Sequence, residues 1–376
     1  MRVNSELAAE QKNVGKRLLL FAFSAVLILA SIEGLVRLRQ LIKHGTAAVT
    51  LYKTVVDPAS GLHVPAAGPT TRTIWINSLG FRSPELVSPK PTSTIRLAFV
   101  GDSMTFCAEV SSNQATWPDR VWNTIQHASP EAKVDYVNAG VAGFTTVESL
   151  TNLRYRVAPL HPDVIIIDEG ITDLTRDTRE LAAEKGLFTG REGQPSFLGR
   201  WSLAWSLLEK NVKRTIRVRR AGTDTRLKLS PEMLVSRGFE QRIRALVEES
   251  QRVAPVVAVA TITYKARKNQ TPEQQLHAAE WSLYYMPYMT ADAIILGFEE
   301  YNREIRKVAA QTSAILIANE ESIPADDQYF KDDVHLTDAG CALMARRVVS
   351  ALTRSGAFQN LVASRRASGL VKTGSR

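Results

Sequence analysis

The chain has 376 residues, 44% of them hydrophobic and 23% charged, which is apolar enough to bury a full core and excludes global disorder. Its net charge of +9 is spread along the chain, with one concentration at Lys213, Arg214, Arg217, Arg219 and Arg220. That run reads first as a solvated helix face and second as an anionic-lipid or acidic-polymer contact, and no nucleic-acid partner is expected.

From the N-terminus, Leu18 to Ile32 is an apolar run, extended past Glu33 and Gly34 by Leu35 and Val36 and flanked by Lys16-Arg17 and Arg37. About twenty residues span a bilayer, so the run predicts a transmembrane helix, with Glu33 near a headgroup layer where it stays hydrated. A secretory signal and a buried soluble helix are the competing readings. The run is longer than the usual ~7 to 15 apolar residues and no small-x-small cleavage site follows closely, so an uncleaved anchor is expected. Arg2, Lys12, Lys16 and Arg17 precede it while Arg37, Arg39 and Lys43 follow, a balance that barely sets orientation. The simplest arrangement keeps the short tail inside and exports the large domain, to the periplasmic side.

Residues 1–39 are thus tail and anchor, and 40–91 a linker rich in Pro, Gly, Ser and Thr, with a strand-like piece at Thr71 to Ile76 and a turn at Asn77 to Arg82. From Ile95 the pattern becomes short apolar strands separated by amphipathic helices. The strands are Ile95 to Val100, Val134 to Asn138, Val164 to Asp168, Val253 to Thr261 and Ala314 to Ala318. Continuous apolar strands alternating with helices predict an α/β fold, a three-layer sandwich around a parallel, flavodoxin-like five-stranded sheet, over residues 92–356. Thr145 with Glu148 predicts a capping box, Thr116 starts another helix, and Thr337 caps a last one running toward Leu352. About 175–238 reads as an insertion or lid, carrying the basic run with Trp201 and Trp205. A polar excursion from Lys265 to Leu296, with the aromatics Trp281, Tyr284, Tyr285 and Tyr288, precedes a helix from Gly297 to Ala310, and 357–376 reads as a flexible tail.

The two cysteines, Cys107 and Cys341, cannot build a disulfide framework and read as small buried thiols, with one bridge between them as the alternative. Neither has partners at metal-ligand spacing, and no P-loop or dinucleotide glycine pattern occurs, so no cofactor or metal is expected.

In an open α/β sheet the site lies at the carboxyl ends of the strands. Gly101-Asp102-Ser103 ends the first strand and exposes a hydroxyl, while Asp332 and His335 lie in the loop after the last. A three-residue offset in a turn puts both side chains on one side, which selects Asp332 over Asp333. Ser103 as nucleophile, His335 as general base and Asp332 as its orienting carboxylate are the parts of nucleophilic acyl transfer. Asp102 and Asp173 read as loop-bracing carboxylates, and His161 as a turn or surface residue.

These segments, with Asn138 to Thr146 and Glu169 to Asp173 between them, resemble in order the four blocks of the SGNH (GDSL-type) hydrolase superfamily, over about residues 95–354. The Asn77 to Arg82 turn resembles that of membrane-anchored bacterial members. The resemblance implies Ser103, Asp332 and His335 as the triad, and Gly143, ahead of Gly140, as the oxyanion glycine beside the Ser103 amide. One position departs. The third block, Gly-x-Asn-Asp in the family, is Gly170-Ile171-Thr172-Asp173 here, and Thr172 is expected as a shorter, partial substitute for the amide donor. The implied activity is a membrane-anchored serine esterase removing short O-acyl groups from an envelope or exported carbohydrate. The alternatives are a lysophospholipase or thioesterase, an acyltransferase, and a binding or assembly protein with a weakened oxyanion hole. The expected partners are an acylated small molecule, glycan or lipid, together with the membrane.

Overall fold

In the computed structural model of the chain, residues 2–45, 52–129, 131–187, 196–221, 229–235, 237–320 and 322–373 are described. The N-terminal apolar run continues as one helix, α1 (Arg2–His44), in which the 28 residues Lys16–Lys43 are long and apolar enough to cross a bilayer, as a signal sequence also is. Two antiparallel pairs follow, β1 (Thr54–Val56) with β2 (His63–Pro65) and β3 (Gly68–Pro69) with β4 (Trp75–Ile76). The strand expected over 71–76 shrinks to its last two residues. The Thr71 hydroxyl accepts from the amides of Thr73 and Ile74 and curls the chain there.

The alternating part begins with β5 (Thr94–Gly101), buried throughout, and α2 (Ser103–Phe106). Then come α3 (Trp117–Ala128), capped by Thr116, β6 (Lys133–Asn138), and α4 (Thr146–Asn152) with the Thr145/Glu148 capping box. They are followed by β7 (Val164–Asp168), α5 (Ile171–Glu184), α6 (Phe197–Trp201), α7 (Leu203–Ala221), α8 (Pro231–Val235) and α9 (Phe239–Val253). The chain continues through β8 (Val256–Ala260), α10 (Pro272–Ala278), α11 (Glu280–Tyr285), α12 (Ala291–Thr312), β9 (Ile315–Ile317), α13 (Asp338–Arg354) and α14 (Gly356–Thr373).

Several boundaries differ from the sequence reading for local reasons. β8 starts at Val256 because α9 runs on through Val253, and Ala254, forced extended ahead of Pro255, ends it. The excursion over 265–296 holds α10 and α11, and α12 begins at Ala291 because the Thr290 hydroxyl caps it at the Ala293 amide. Gly297 is therefore interior to α12. A Cβ there would meet Leu174 of α5 at 2.9 Å, so the glycine lets the two helices approach. Residues 356–373 form α14 where a flexible tail is expected: Phe358 is buried, and the Arg365 guanidinium donates to the Thr92 carbonyl at 2.9 Å and to Asp163 at 2.6 Å. Of the insertion, 188–195 and 222–228 lie outside the described residues, as do 46–51 of the linker.

The chain divides into two compact units, 1–51 with 194–212, and 52–193 with 213–376. In the larger, five parallel strands lie in the order β6-β5-β7-β8-β9, the flavodoxin-like order expected. Gly101 pairs with Asp168 and Ala260 with Ile317, so the strands end near one level. On one face α3 packs on α13, and on the other α9 packs on α4 and α12. The sheet interior between them is Leu97, Phe99, Val100, Ile165, Ile166, Ile167 and Val259, all without solvent exposure. In the smaller unit, α1 packs with α6 and the start of α7. The insertion read as a lid over about 175–238 thus divides: 175–187 and 213–221 belong to the larger unit, and 196–212 belongs with the N-terminal helix.

Candidate active site

Ser103 is the first residue of α2, at the carboxyl end of β5. The sharp strand-to-helix turn is held from below. Asp102 Oδ1 accepts the Met104 amide at 2.9 Å, and Asn138 at the end of β6 donates to the Thr105 carbonyl at 2.8 Å. Arg82, fully buried, donates to the carbonyls of Phe106 at 2.9 Å and Cys107 at 2.5 Å. A helix of one turn leaves its last carbonyls unpaired, and these two distant side chains satisfy them.

The loop before α13 is a small hairpin closed by an antiparallel bridge between Phe330 and Leu336, with the Lys331 amide on the His335 carbonyl at 2.8 Å. Inside it, Asp332 Oδ1 accepts the amides of Val334 at 3.0 Å and His335 at 2.8 Å. Its Oδ2 lies 2.7 Å from His335 Nδ1, and His335 Nε2 lies 2.9 Å from Ser103 Oγ. Residues 232 apart in sequence thus form one continuous chain of hydrogen bonds. Asp333 turns away, as the offset argument requires: its carboxylate accepts the Ser282 amide of α11, and burial pushes its pKa up to about 7. At the start of α13, Asp338 accepts the Ser111 amide at 2.9 Å and its hydroxyl at 2.5 Å, tying the loop after α2 to the His335 loop.

The charges follow from this geometry. Burial disfavours an imidazolium at His335, but the hydrogen bond and charge of Asp332 outweigh it, with Glu109 and Asp102 adding to them, and the pKa rises to about 9. Burial works against the Asp332 carboxylate in turn, yet its bonds to His335 and two backbone amides hold its pKa below the usual carboxylate value.

The loop after β6 distinguishes its glycines. The Gly140 amide donates to Asn138 Oδ1 at 3.1 Å, and a Cβ at Gly140 would lie 2.5 Å from the Phe106 nitrogen, so this glycine serves backbone packing. Gly143 has φ +89°, open space around it, and an amide with no hydrogen-bond acceptor among the described residues. The Ser103 amide has none either.

Residues 99–343 match the GDSL-like lipase/acylhydrolase family. The chain belongs to that family. It is a serine hydrolase acting on ester bonds, of the SGNH type. Among curated proteins no match was found. Solved structures similar to it include Axe2, an acetyl xylan esterase from Geobacillus stearothermophilus, at 17% identity and TM-score 0.42, covering 68% of this chain and 93% of that one. Another is LAE5, an alpha/beta hydrolase from the metagenome of Lake Arreo, Spain, at 15% identity and TM-score 0.44, covering 68% of this chain and 94% of that one.

Thr172, expected to offer its hydroxyl to the oxyanion, donates it to Asp102 Oδ2 at 3.2 Å, with its amide 3.4 Å from the same oxygen. One hydroxyl carries one proton, so this contact occupies the donor. Asp102 is buried and its pKa is pushed up to about 6 by that burial, against the lowering effect of the Met104 amide, the His335 charge and Thr172. Asp173 braces the second block, accepting the Thr146 amide and hydroxyl, each at 2.8 Å, and pairing with Arg242 at 3.0 Å. Asp168 and Glu169 behind them are buried, and burial together with the Asp102 charge raises both pKa values well above the ordinary range.

Three features were not legible as site residues. In the sequence Arg82 is only part of a turn, and its reach to residues 106 and 107 is a tertiary fact. Glu109 is exposed and within electrostatic reach of His335, and Tyr285 of α11, also exposed, is within reach of Asp332 and Glu109. The basic run is not simply a solvated face: Arg214 lies over the Trp281 ring at 4.9 Å and Arg217 over the Tyr284 ring at 4.7 Å. Cys107 and Cys341 are buried, free thiols. His161 occupies a turn with φ +53°.

Proposed function

We propose that Ser103, His335 and Asp332 are the catalytic triad of an esterase that removes short O-acyl groups from carbohydrate, and that the enzyme is held to a membrane by α1. The observation that carries the triad is the pair of contacts at His335, 2.9 Å to Ser103 Oγ and 2.7 Å to Asp332. With its Nδ1–H donated to the Asp332 carboxylate, His335 accepts the Ser103 proton at Nε2 as Oγ attacks the ester carbonyl carbon. The carbonyl π electrons move to oxygen, where the amides of Ser103 and Gly143 receive the oxyanion. Collapse expels the alcohol, which takes the proton from His335 Nε2. Water, deprotonated by the same nitrogen, then attacks the acyl-enzyme and releases the acid and Ser103.

Support for a carbohydrate ester is the aromatic α11 beside the His335 loop, joined to it through Asp333 and Ser282, since exposed aromatic faces such as Tyr285 and nearby carboxylates such as Glu109 suit sugar rings and hydroxyls. The anchoring reading is supported by the membrane-length stretch Lys16–Lys43, whose side chains from Leu18 to Leu29 are mostly exposed. The reading places the large unit on the extracytoplasmic side, the simplest arrangement for a short N-terminal tail that stays inside.

A fluorophosphonate probe tests the nucleophile: labelling of the wild type that vanishes in Ser103→Ala is expected, and labelling that persists refutes the assignment. Acetylated glycans compared with longer-chain esters and lysophospholipid test the substrate. Faster turnover on lysophospholipid would replace the carbohydrate reading with a lysophospholipase.

A further inference from the structure

We propose that Phe197–Val212 is a second membrane-contacting element, a helical corner pinned to α1 that lays its aromatic face in the headgroup region of an anionic phospholipid bilayer. The inference rests on the anchoring reading above and adds a surface which that reading does not require.

The pin is a pair of charges one helical turn apart on α1. Glu33 accepts the first two amides of α7, from Leu203 at 3.0 Å and Ala204 at 2.9 Å, and the Ser202 hydroxyl at 2.8 Å. Arg37 donates Nε to Glu33 at 2.6 Å and Nη2 to the carbonyl of Trp201, the last residue of α6, at 3.1 Å. The acid therefore sits on the N-terminus of one helix and the base on the C-terminal carbonyl of the helix before it, each matching the local dipole. This corrects the expectation that Glu33 is kept hydrated by headgroup water: protein donors satisfy it.

The position of the pin fixes where the corner lies. From Arg17 to Glu33 a helix rising ~1.5 Å per residue covers about 25 Å, close to the ~30 Å of a hydrocarbon core. Lys16-Arg17 at one boundary thus puts Glu33, Arg37 and the corner at the other. The corner exposes large apolar groups at that level: Phe197 at 75%, Trp201 at 73%, and also Leu198, Trp205 and Leu208. Trp205 is oriented by a hydrogen bond from its indole nitrogen to Ser196 Oγ at 3.1 Å. Indole rings with an anchored polar edge favour the membrane interface, and exposed Arg200 supplies charge complementary to anionic headgroups. So many exposed apolar groups, hydrogen-bonded through their backbone to a membrane-length helix at its boundary, are covered by lipid rather than water.

The test uses the full chain in mixed phosphatidylglycerol and phosphatidylcholine vesicles, with lipids brominated either near the headgroup or near the chain end as quenchers. The emission contributed by the two tryptophans is the wild-type signal minus that of the Trp201→Phe/Trp205→Phe variant. That difference is expected to lose roughly half its intensity to the shallow quencher and less to the deep one. Glu33→Ala makes the span more apolar and keeps it inserted, and it is expected to abolish the quenching by releasing the corner. Unquenched tryptophans in a carbonate-resistant protein, as when the face meets water or a second copy of the chain, overturn the proposal and leave the anchor standing. Protein released by carbonate overturns the anchor, and the proposal with it.

Discussion

Replacing Thr172 separates two accounts of the oxyanion hole that differ by orders of magnitude in rate. Its hydroxyl donates to Asp102 at 3.2 Å and its amide lies 3.4 Å from the same oxygen, so the proton that would stabilise an oxyanion already has a buried acceptor. Deleting a working oxyanion donor costs ~10²- to 10³-fold in kcat, about 2.7 to 4 kcal/mol, whereas deleting a hydroxyl held elsewhere is expected to cost less than about 3-fold. Thr172→Ala is therefore predicted to be nearly silent in kcat. Thr172→Asn introduces a carboxamide with two N–H donors, one for Asp102 and one for the oxyanion, and is predicted to raise kcat by on the order of 10². Steady-state hydrolysis of a small acetyl ester, with kcat and KM resolved, reads both variants. A loss of 10²-fold or more in Thr172→Ala at unchanged KM would show that the hydroxyl swings to the oxyanion in the transition state, refuting the reasoning from the resting hydrogen bond.

Three further outcomes are expected. A general base must be neutral, and His335 is held from its ordinary 6.5 up to about 9, so kcat/KM should climb with pH along a limb lying between those values. Asp332→Asn removes the charge that raises it, so the limb should move to lower pH while kcat falls roughly 10³- to 10⁴-fold; an unmoved limb speaks against the pairing. Gly140→Ala drives a Cβ to 2.5 Å from the Phe106 nitrogen and should lower the melting temperature, whereas Gly143→Ala meets no atom and should cost only about 1 kcal/mol for its positive φ. Equal thermal shifts in the two variants would contradict the distinction. Phe358→Ala should destabilise by about 3 to 5 kcal/mol in denaturant titration if α14 is part of the core, and by almost nothing if the segment is a loose tail.

The sheet was readable because parallel strands buried on both faces are continuous apolar runs, and all five were located from that signal to within a few residues. The Asp-x-x-His turn was readable because its geometry is local: Asp332 bonds the amides of Val334 and His335, and spacing alone separates it from Asp333. Thr172 failed differently. Its residue type was visible, but the direction of its hydroxyl depends on Asp102, 70 positions earlier. Likewise Arg82 looked like part of a turn, though its guanidinium closes the helix that carries Ser103.

By itself, then, the sequence determined the strand pattern, the helix caps and the identity of the candidate triad, because period, capping chemistry and turn spacing act over a few residues. Tertiary structure decided that α14 packs against the core, that Glu33 caps a helix instead of facing water, and that Thr172 serves a carboxylate. Each of those outcomes is a choice among hydrogen-bond or packing partners far apart in the chain. No local rule ranks such partners until folding brings them within reach.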